Sequence, residues 1–380
     1  MLFRSAGGTP VVLTPGDFQV ENGKLSPVGR SLVHAANTGG ARAEGERRHV
    51  YTVPVDRAEP RALTAGPGIE AAPVLLADGS SVAYLSATVQ RPALAAVRSI
   101  AGGGATYIGA ELIPAEFPAT QFATPRAVTF RAEDGVTVHA QLFEPAAGAP
   151  GEKRPAIVYI HGGPQRQMLL GWHPLDYYAN AYAMNQYLAS RGFVVLSVNY
   201  RLGIGYGYDF HQPPNAGARG ASEYLDIKAA GLYLKGMAGV DAARIGVYGG
   251  SYGGFLTALA LGRSSDLFAA GVDIHGVHDF TTNGSGAGSA VAAAMGGSGQ
   301  FEPNDRDKAL EVAWKSSPVS NVPTWKSPVL FIHGDDDRNV RFSQTVDLVR
   351  RIAARGVEYE RSEEHTSELQ SHSFISYAVF

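Results

Sequence analysis

The residue best suited to covalent chemistry is Ser251, in the stretch Val247-Tyr-Gly-Gly-Ser-Tyr-Gly-Gly-Phe255. Gly249, Ser251 and Gly253 fill a G-x-S-x-G pattern between an apolar strand-like run, Arg244 to Tyr248, and an apolar helix-like run. That order describes a nucleophile elbow, a tight strand-to-helix turn that lifts a serine hydroxyl above a sheet. Glycines suit it because backbone passes close to the turn and Cβ atoms would clash. The helix N-terminus behind Ser251 adds partial positive charge where an oxyanion would form. A serine hydroxyl is a weak nucleophile at neutral pH, so it needs a base, an orienting carboxylate and an oxyanion hole. With this elbow the partners follow along the chain in the order Ser, Asp, His. Asp335, Asp336 and Asp337 follow the apolar run Val329-Leu-Phe-Ile-His-Gly334 and offer the carboxylate. The Tyr252 backbone N–H is one oxyanion donor by position, and the loop His161-Gly-Gly-Pro164 should supply the second. His161 precedes the nucleophile, the wrong order for a base, and is read as a structural histidine.

The elements that must position these groups are legible as an α/β pattern from Arg126 onward. Ala127–Arg131 and Val138–Phe143 flank the turn Glu133-Asp-Gly135 and read as a hairpin. Near-continuous apolar strands then alternate with helices, as a buried parallel sheet requires. The strands are Ala156–Ile160, Phe193–Val198, Arg244–Tyr248, Ala269–Ile274 and Pro328–Ile332. The helices are about Asn180–Arg191, Ser222–Lys235, Gly253–Leu261 and Phe342–Arg355, with Gly356 placed to end the last. Thr281–Ser298, rich in Gly, Ser and Ala, reads as a flexible segment near the site.

Residues 6 to 120 have a different texture, with short alternating strands broken by Gly, Pro, Asp and Asn. Val11–Thr14 precedes Leu25–Val33 as Arg61–Thr64 precedes Val74–Tyr84, and the two units are about fifty residues apart. That period fits four-stranded propeller blades, and two blades read as part of a larger ring. A chain of 380 residues is too long for one core, so two domains are expected, 6–120 and 121–360. The net charge of -3 gives no sign of a nucleic-acid partner, and no apolar run is long enough to span a membrane. The lack of cysteine excludes disulfides and thiolate catalysis. No cluster of metal ligands and no phosphate loop is visible, so no cofactor is expected.

Four motifs stand in register: His161-Gly-Gly-Pro164, Asn199-Tyr-Arg-Leu-Gly-Ile-Gly-Tyr-Gly207, Gly249-Gly-Ser-Tyr-Gly-Gly254 and His333-Gly-Asp-Asp-Asp-Arg-Asn-Val340. Together they resemble the prolyl oligopeptidase family of serine peptidases, and within it the dipeptidyl peptidase IV and acylaminoacyl peptidase branches. The resemblance covers about Arg126 to Glu360. It implies an α/β-hydrolase fold preceded by a partial β-propeller, and an oligopeptide substrate admitted past the propeller. It also places the catalytic carboxylate on Asp337, puts Asn339 and Val340 near the substrate, and makes Tyr252 an oxyanion donor. His161 stands where the dipeptidyl peptidases carry an oxyanion tyrosine, so the N–H of Gly162 or Gly163 takes that part. By position Phe280 resembles an aromatic wall of the S1 pocket.

The ends depart from the family. Arg361-Ser-Glu-Glu-His-Thr-Ser-Glu-Leu-Gln-Ser-His372 and Ile375–Phe380 match a translated sequencing adapter, and Met1–Ser5 fits the same reading. Residues 1–5 and about 361–380 are therefore expected to be non-native. The family's general-base histidine would fall near Leu369, and the only histidines after Asp337 are His365 and His372. The leading expectation is a serine peptidase acting through Ser251, with its base lost in this chain. An esterase or other acyl hydrolase on the same fold is the alternative, as is an inactive fragment.

Overall fold

The computed structural model describes residues 10–39, 42–149, 151–282 and 306–364. The chain divides into two units. The first comprises 1–127, 167–183 and 204–208; the second comprises 128–166, 184–203 and 209–380. Among the described residues no helix is long and apolar enough to cross a membrane.

The first unit holds two four-stranded sheets. One consists of β1 (Val20–Leu25), β2 (Ser31–Ala36), β3 (His49–Pro54) and β4 (Arg61–Ala62), in that order. The other consists of β5 (Ile69–Leu75), β6 (Ser81–Ala87), β7 (Leu94–Ser99) and β8 (Thr106–Ile108), also in order. Every neighbouring pair is antiparallel. Inward apolar side chains of both sheets, among them Val33, Val50, Leu75, Val82 and Tyr84, share one core. The fifty-residue repeat is visible in the turns. Gly29 N–H donates to Ser26 O at 2.8 Å, and Gly79 N–H donates to Leu76 O at 3.0 Å. Both glycines adopt positive φ, 70° and 66°, which a side chain would resist.

The second unit is built on an eight-stranded sheet of order β16-β15-β14-β13-β11-β12-β10-β9. In chain order its elements begin with β9 (Arg126–Arg131), β10 (Thr137–Phe143), β11 (Arg154–Ile160), α1 (Asp176–Ser190) and β12 (Val194–Asn199). The short α2 (Tyr208–His211), α3 (Tyr224–Lys235), β13 (Val240–Gly250), α4 (Tyr252–Arg263) and β14 (Ala270–Ile274) follow. The last are α5 (Arg306–Lys315), β15 (Val329–Gly334), α6 (Ser343–Ala354) and β16 (Tyr359–Glu364). Strands β11 to β16 are mutually parallel where they pair, and β10 runs antiparallel to β12. The central strands are largely apolar, and β12 is buried at every position, Ser197 and Asn199 included.

Strand β16 includes Arg361–Glu364, four residues of the stretch set aside on sequence grounds. Its register, from Val329↔Tyr359 to Gly334↔Glu364, is carried by backbone groups that any sequence supplies. Except for Thr281 and Thr282, the segment Thr281–Ser298 lies outside the described residues, as do His365, Leu369 and His372.

An ion-pair network pins the end of β12. Arg201 donates through Nε and Nη2 to Asp226 on α3, at 2.6–3.1 Å, and through Nη1 and Nη2 to Asp134 in the β9–β10 turn, at 2.5 and 3.0 Å. The Asp226 side chain is 0% exposed and that of Arg201 3%. Removing one partner strands a buried charge, which costs about 3–5 kcal/mol. Arg201→Met is accordingly expected to lower urea-unfolding stability by about 3 kcal/mol or more, and adding Asp226→Asn to recover part of it. A loss below about 1 kcal/mol would show that the network does not hold these elements together.

Candidate active site

The turn after β13 confines Ser251. Its φ of 57° and ψ of −117° lie where residues with a Cβ are rarely found. Ser251 N–H donates to Ile274 O at 2.9 Å, and Phe255 N–H donates to Ser251 O at 3.0 Å, so the turn is held from both sides. The flanking glycines are required by close approach. A Cβ on Gly249 would lie 2.4 Å from Ile160 O, and one on Gly253 2.1 Å from the same atom. A Cβ on Gly254 would meet Asp273 Oδ1 at 2.6 Å. Helix α4 starts at Tyr252 and is buried from Gly253 to Gly262, so its N-terminal N–H groups point from a fixed base toward the turn.

The loop after β11 lies against this turn. A Cβ on Gly162 would stand 3.3 Å from the Ser251 Cβ and 3.0 Å from Gly250 O. Gly163 adopts a φ of 122°. The backbone of Gly162 is therefore brought beside the Ser251 turn. His161 is fully buried, and its Nδ1–H donates to Gly162 O at 2.7 Å. Burial lowers its pKa to about 4, so the ring is neutral near pH 7. It stacks on Tyr200 with ring centroids 4.4 Å apart.

Asp337 follows β15, and Ser251 follows β13. The two strands are parallel to β14 between them, so both residues reach the same carboxyl edge of the sheet. Neighbouring strands lie about 4.8 Å apart, which puts β13 and β15 about 10 Å apart. The 274–275 peptide of β14 is the spacer: Ile274 O accepts from Ser251, and His275 N–H donates to Ile332 O at 2.8 Å. Asp337 Oδ1 accepts the backbone N–H groups of Asn339 at 2.7 Å and Val340 at 2.9 Å. Its Oδ2 lies 3.5 Å from His333 Nε2, which donates to Val340 O at 2.9 Å. Desolvation pushes the Asp337 acid upward, but His333 and the two backbone donors outweigh it and hold it below the usual carboxylate value. Asp335 and Asp336, in contrast, are exposed.

The remaining predicted residues are placed as follows. Asn339 is exposed and Val340 buried, and both meet Asp337 through their backbones. Phe280 is 7% exposed and packs edge-on against Phe255 at 4.9 Å; its N–H donates to Ser317 Oγ at 2.9 Å. Two residues went unnoticed in the sequence. His275 adopts a φ of 42° directly after β14, and its ring lies 6.3 Å from His333. Glu223 is fully buried and accepts the Tyr252 hydroxyl at 2.6 Å. The cluster Asp273-Ile-His-Gly-Val-His278 at a strand's carboxyl end could have flagged His275. An acid opening a helix carries no comparable signal.

The prolyl oligopeptidase family matches residues 180–376, just over half of the chain, and the chain belongs to that family. It is 29% identical over 247 residues to a Bacillus subtilis (strain 168) protein described as uncharacterized peptidase YuxL, covering 62% of this chain and 34% of that one. It is also 29% identical over 248 residues to the acylamino-acid-releasing enzyme of Mus musculus, covering 62% and 32% respectively. The solved acylaminoacyl peptidase of Pyrococcus horikoshii superposes with a TM-score of 0.72 at 23% identity, covering 92% of this chain and 52% of that one. The chain thus spans about a third of these curated relatives and about half of the solved structure. The fold is an α/β-hydrolase sheet preceded by part of a β-propeller.

Two outcomes follow from the site geometry. Ser251→Gly should be more stable than Ser251→Ala by about 1 kcal/mol in thermal unfolding, because glycine accepts the turn's positive φ. At an ordinary position the order is reversed, and a reversed order here would mean the turn is unstrained. The depressed Asp337 acid stabilises the fold above its unfolded pKa, about 3.9, and that contribution disappears as pH falls through the folded value. The stability gap between wild type and Asp337→Asn should therefore shrink on acidification from pH 5 to pH 3 in urea titrations. A gap that is flat across this range would contradict the assignment.

Proposed function

We propose that this chain carries the catalytic centre of a serine peptidase of the prolyl oligopeptidase type that cleaves short peptides. The observation that carries the reading is Ser251, held at positive φ against Gly162, with Asp337 at the same sheet edge two strands away. In the proposed reaction Ser251 Oγ attacks the scissile carbonyl and passes its proton to a base oriented by Asp337. The Tyr252 N–H, with Gly162 or Gly163, takes the oxyanion charge. The C–N bond then breaks, the amine leaves with the proton, and water hydrolyses the acyl-enzyme. Asn339, Val340 and Phe280 border the substrate. The kinship with an acylamino-acid-releasing enzyme and an acylaminoacyl peptidase supports a peptide as substrate.

Between Asp337 and Glu364 the sequence has no histidine, and by the family resemblance the base would fall near Leu369. We therefore assign this chain slow acylation, left to the turn and the oxyanion donors. A fluorophosphonate probe with peptide-mapping mass spectrometry tests both parts. Ser251 should be the labelled residue, with labelling lost in Ser251→Ala. Grafting the corresponding base-bearing segment of a relative after Glu360 should raise the rate by on the order of 10³-fold or more. Labelling elsewhere would remove the peptidase reading, and equal rates would remove the missing base. Turnover by the grafted chain of simple esters but not of peptides would make it an acyl hydrolase instead.

A further inference from the structure

We propose that Glu223 is a positioning residue that sets the oxyanion hole by clamping the Tyr252 phenol; the inference rests on the reading of Ser251 as the nucleophile. Glu223 stands at the start of α3 with no exposed surface. Tyr252 Oη donates to its Oε1 at 2.6 Å, and Gly217 N–H donates to Oε1 and Oε2, at 3.1 Å each. Gly217 has a φ of 57°, and a Cβ there would lie 3.2 Å from Tyr252 Oη, so the glycine is part of the clamp.

The clamp reaches both sides of the hole. The Tyr252 ring lies parallel to that of Tyr200, with centroids 6.1 Å apart and planes at 8°. Tyr200 stacks in turn on His161, and its hydroxyl donates to His161 O at 2.9 Å. The column Glu223–Tyr252–Tyr200–His161 therefore joins the residue whose N–H faces the oxyanion to the loop that supplies the second donor.

A carboxylate without solvent is costly, and these hydrogen bonds help to offset it. Burial raises the Glu223 pKa, and Asp226 one turn later adds to the rise, whereas the Tyr252 and Gly217 donors oppose it. The Tyr252 hydroxyl is held protonated by burial and by the same carboxylate. An apolar side chain would fill this site at lower cost but would leave the phenol unanchored. A donor displaced by about 1 Å can cost up to about 100-fold in rate, so the anchor has a catalytic consequence although it touches no substrate.

The test compares wild type with Glu223→Gln and Tyr252→Phe, each nearly isosteric. The first readout is fluorophosphonate labelling of Ser251 as a function of probe concentration. Both variants should lose about tenfold or more in maximal rate, with the half-saturating concentration unchanged within about twofold. The second is hydrogen–deuterium exchange, which needs no catalysis. Residues 249–256 should exchange about tenfold faster in both variants, while 194–199 keeps the wild-type rate. Wild-type labelling rates in the variants, unchanged exchange at 249–256, or equal loosening of both segments would each overturn the inference. Failure of wild type itself to label Ser251 would instead remove the peptidase reading, and the exchange data would still decide the clamp.

Discussion

A serine at positive φ is the constraint on which this structure depends. An L-residue does not hold φ 57°, ψ −117° unless its surroundings leave no alternative. Here the surroundings are backbone. Ile160 O occupies the space that a Cβ on Gly249 or Gly253 would need, and Ile274 O holds the Ser251 N–H. The cramped turn exists because β11, β13 and β14 end side by side.

The same ladder sets the spacing of the other groups. The 274–275 peptide bonds in one direction to the nucleophile turn and in the other to β15, which delivers Asp337. Separation along the edge is thus fixed by strand geometry and not by flexible side chains. Electrostatics refine what geometry provides. Asp337 is held below the usual carboxylate value by His333 and by backbone donors from its own loop, whereas His161 is kept neutral by burial. Charges deeper in the sheet, such as Asp226 and Arg201, are matched in pairs and serve the scaffold.

Much of this was legible in the residues. Apolar runs bounded by Gly and Asp gave the strands to within a few positions, because a buried parallel strand needs little more than continuous apolarity. Strand β13 is longer than its apolar core suggests, Val240–Gly250 against Arg244–Tyr248, since Val240 pairs with Arg154 before a break in register and Gly249 and Gly250 continue the ladder. The turns at Gly29 and Gly79 were readable because positive φ has a residue-level signature. The carboxylate was narrowed from three aspartates to Asp337 only by the family resemblance. In the structure Asp337 folds back onto two N–H groups, a contact that depends on a loop. Glu223 carried no signal of its own, because it is defined by what other segments bring to it. A buried glutamate at a helix start looks, in sequence, like any first-turn acid.

The chain belongs to the prolyl oligopeptidase family, and the Ser251 turn is strained; the proposed account is that this strain presents a hydroxyl to an oxyanion hole built from two loops. The most direct measurement is a crystal structure of the chain with a peptide boronic acid. The account predicts a tetrahedral boron bonded to Ser251 Oγ, with one boron oxygen within about 3.1 Å of the Tyr252 nitrogen and of Gly162 or Gly163 nitrogen. A boronate bound away from Ser251, or bonded to it with that oxygen turned to solvent, would contradict the account.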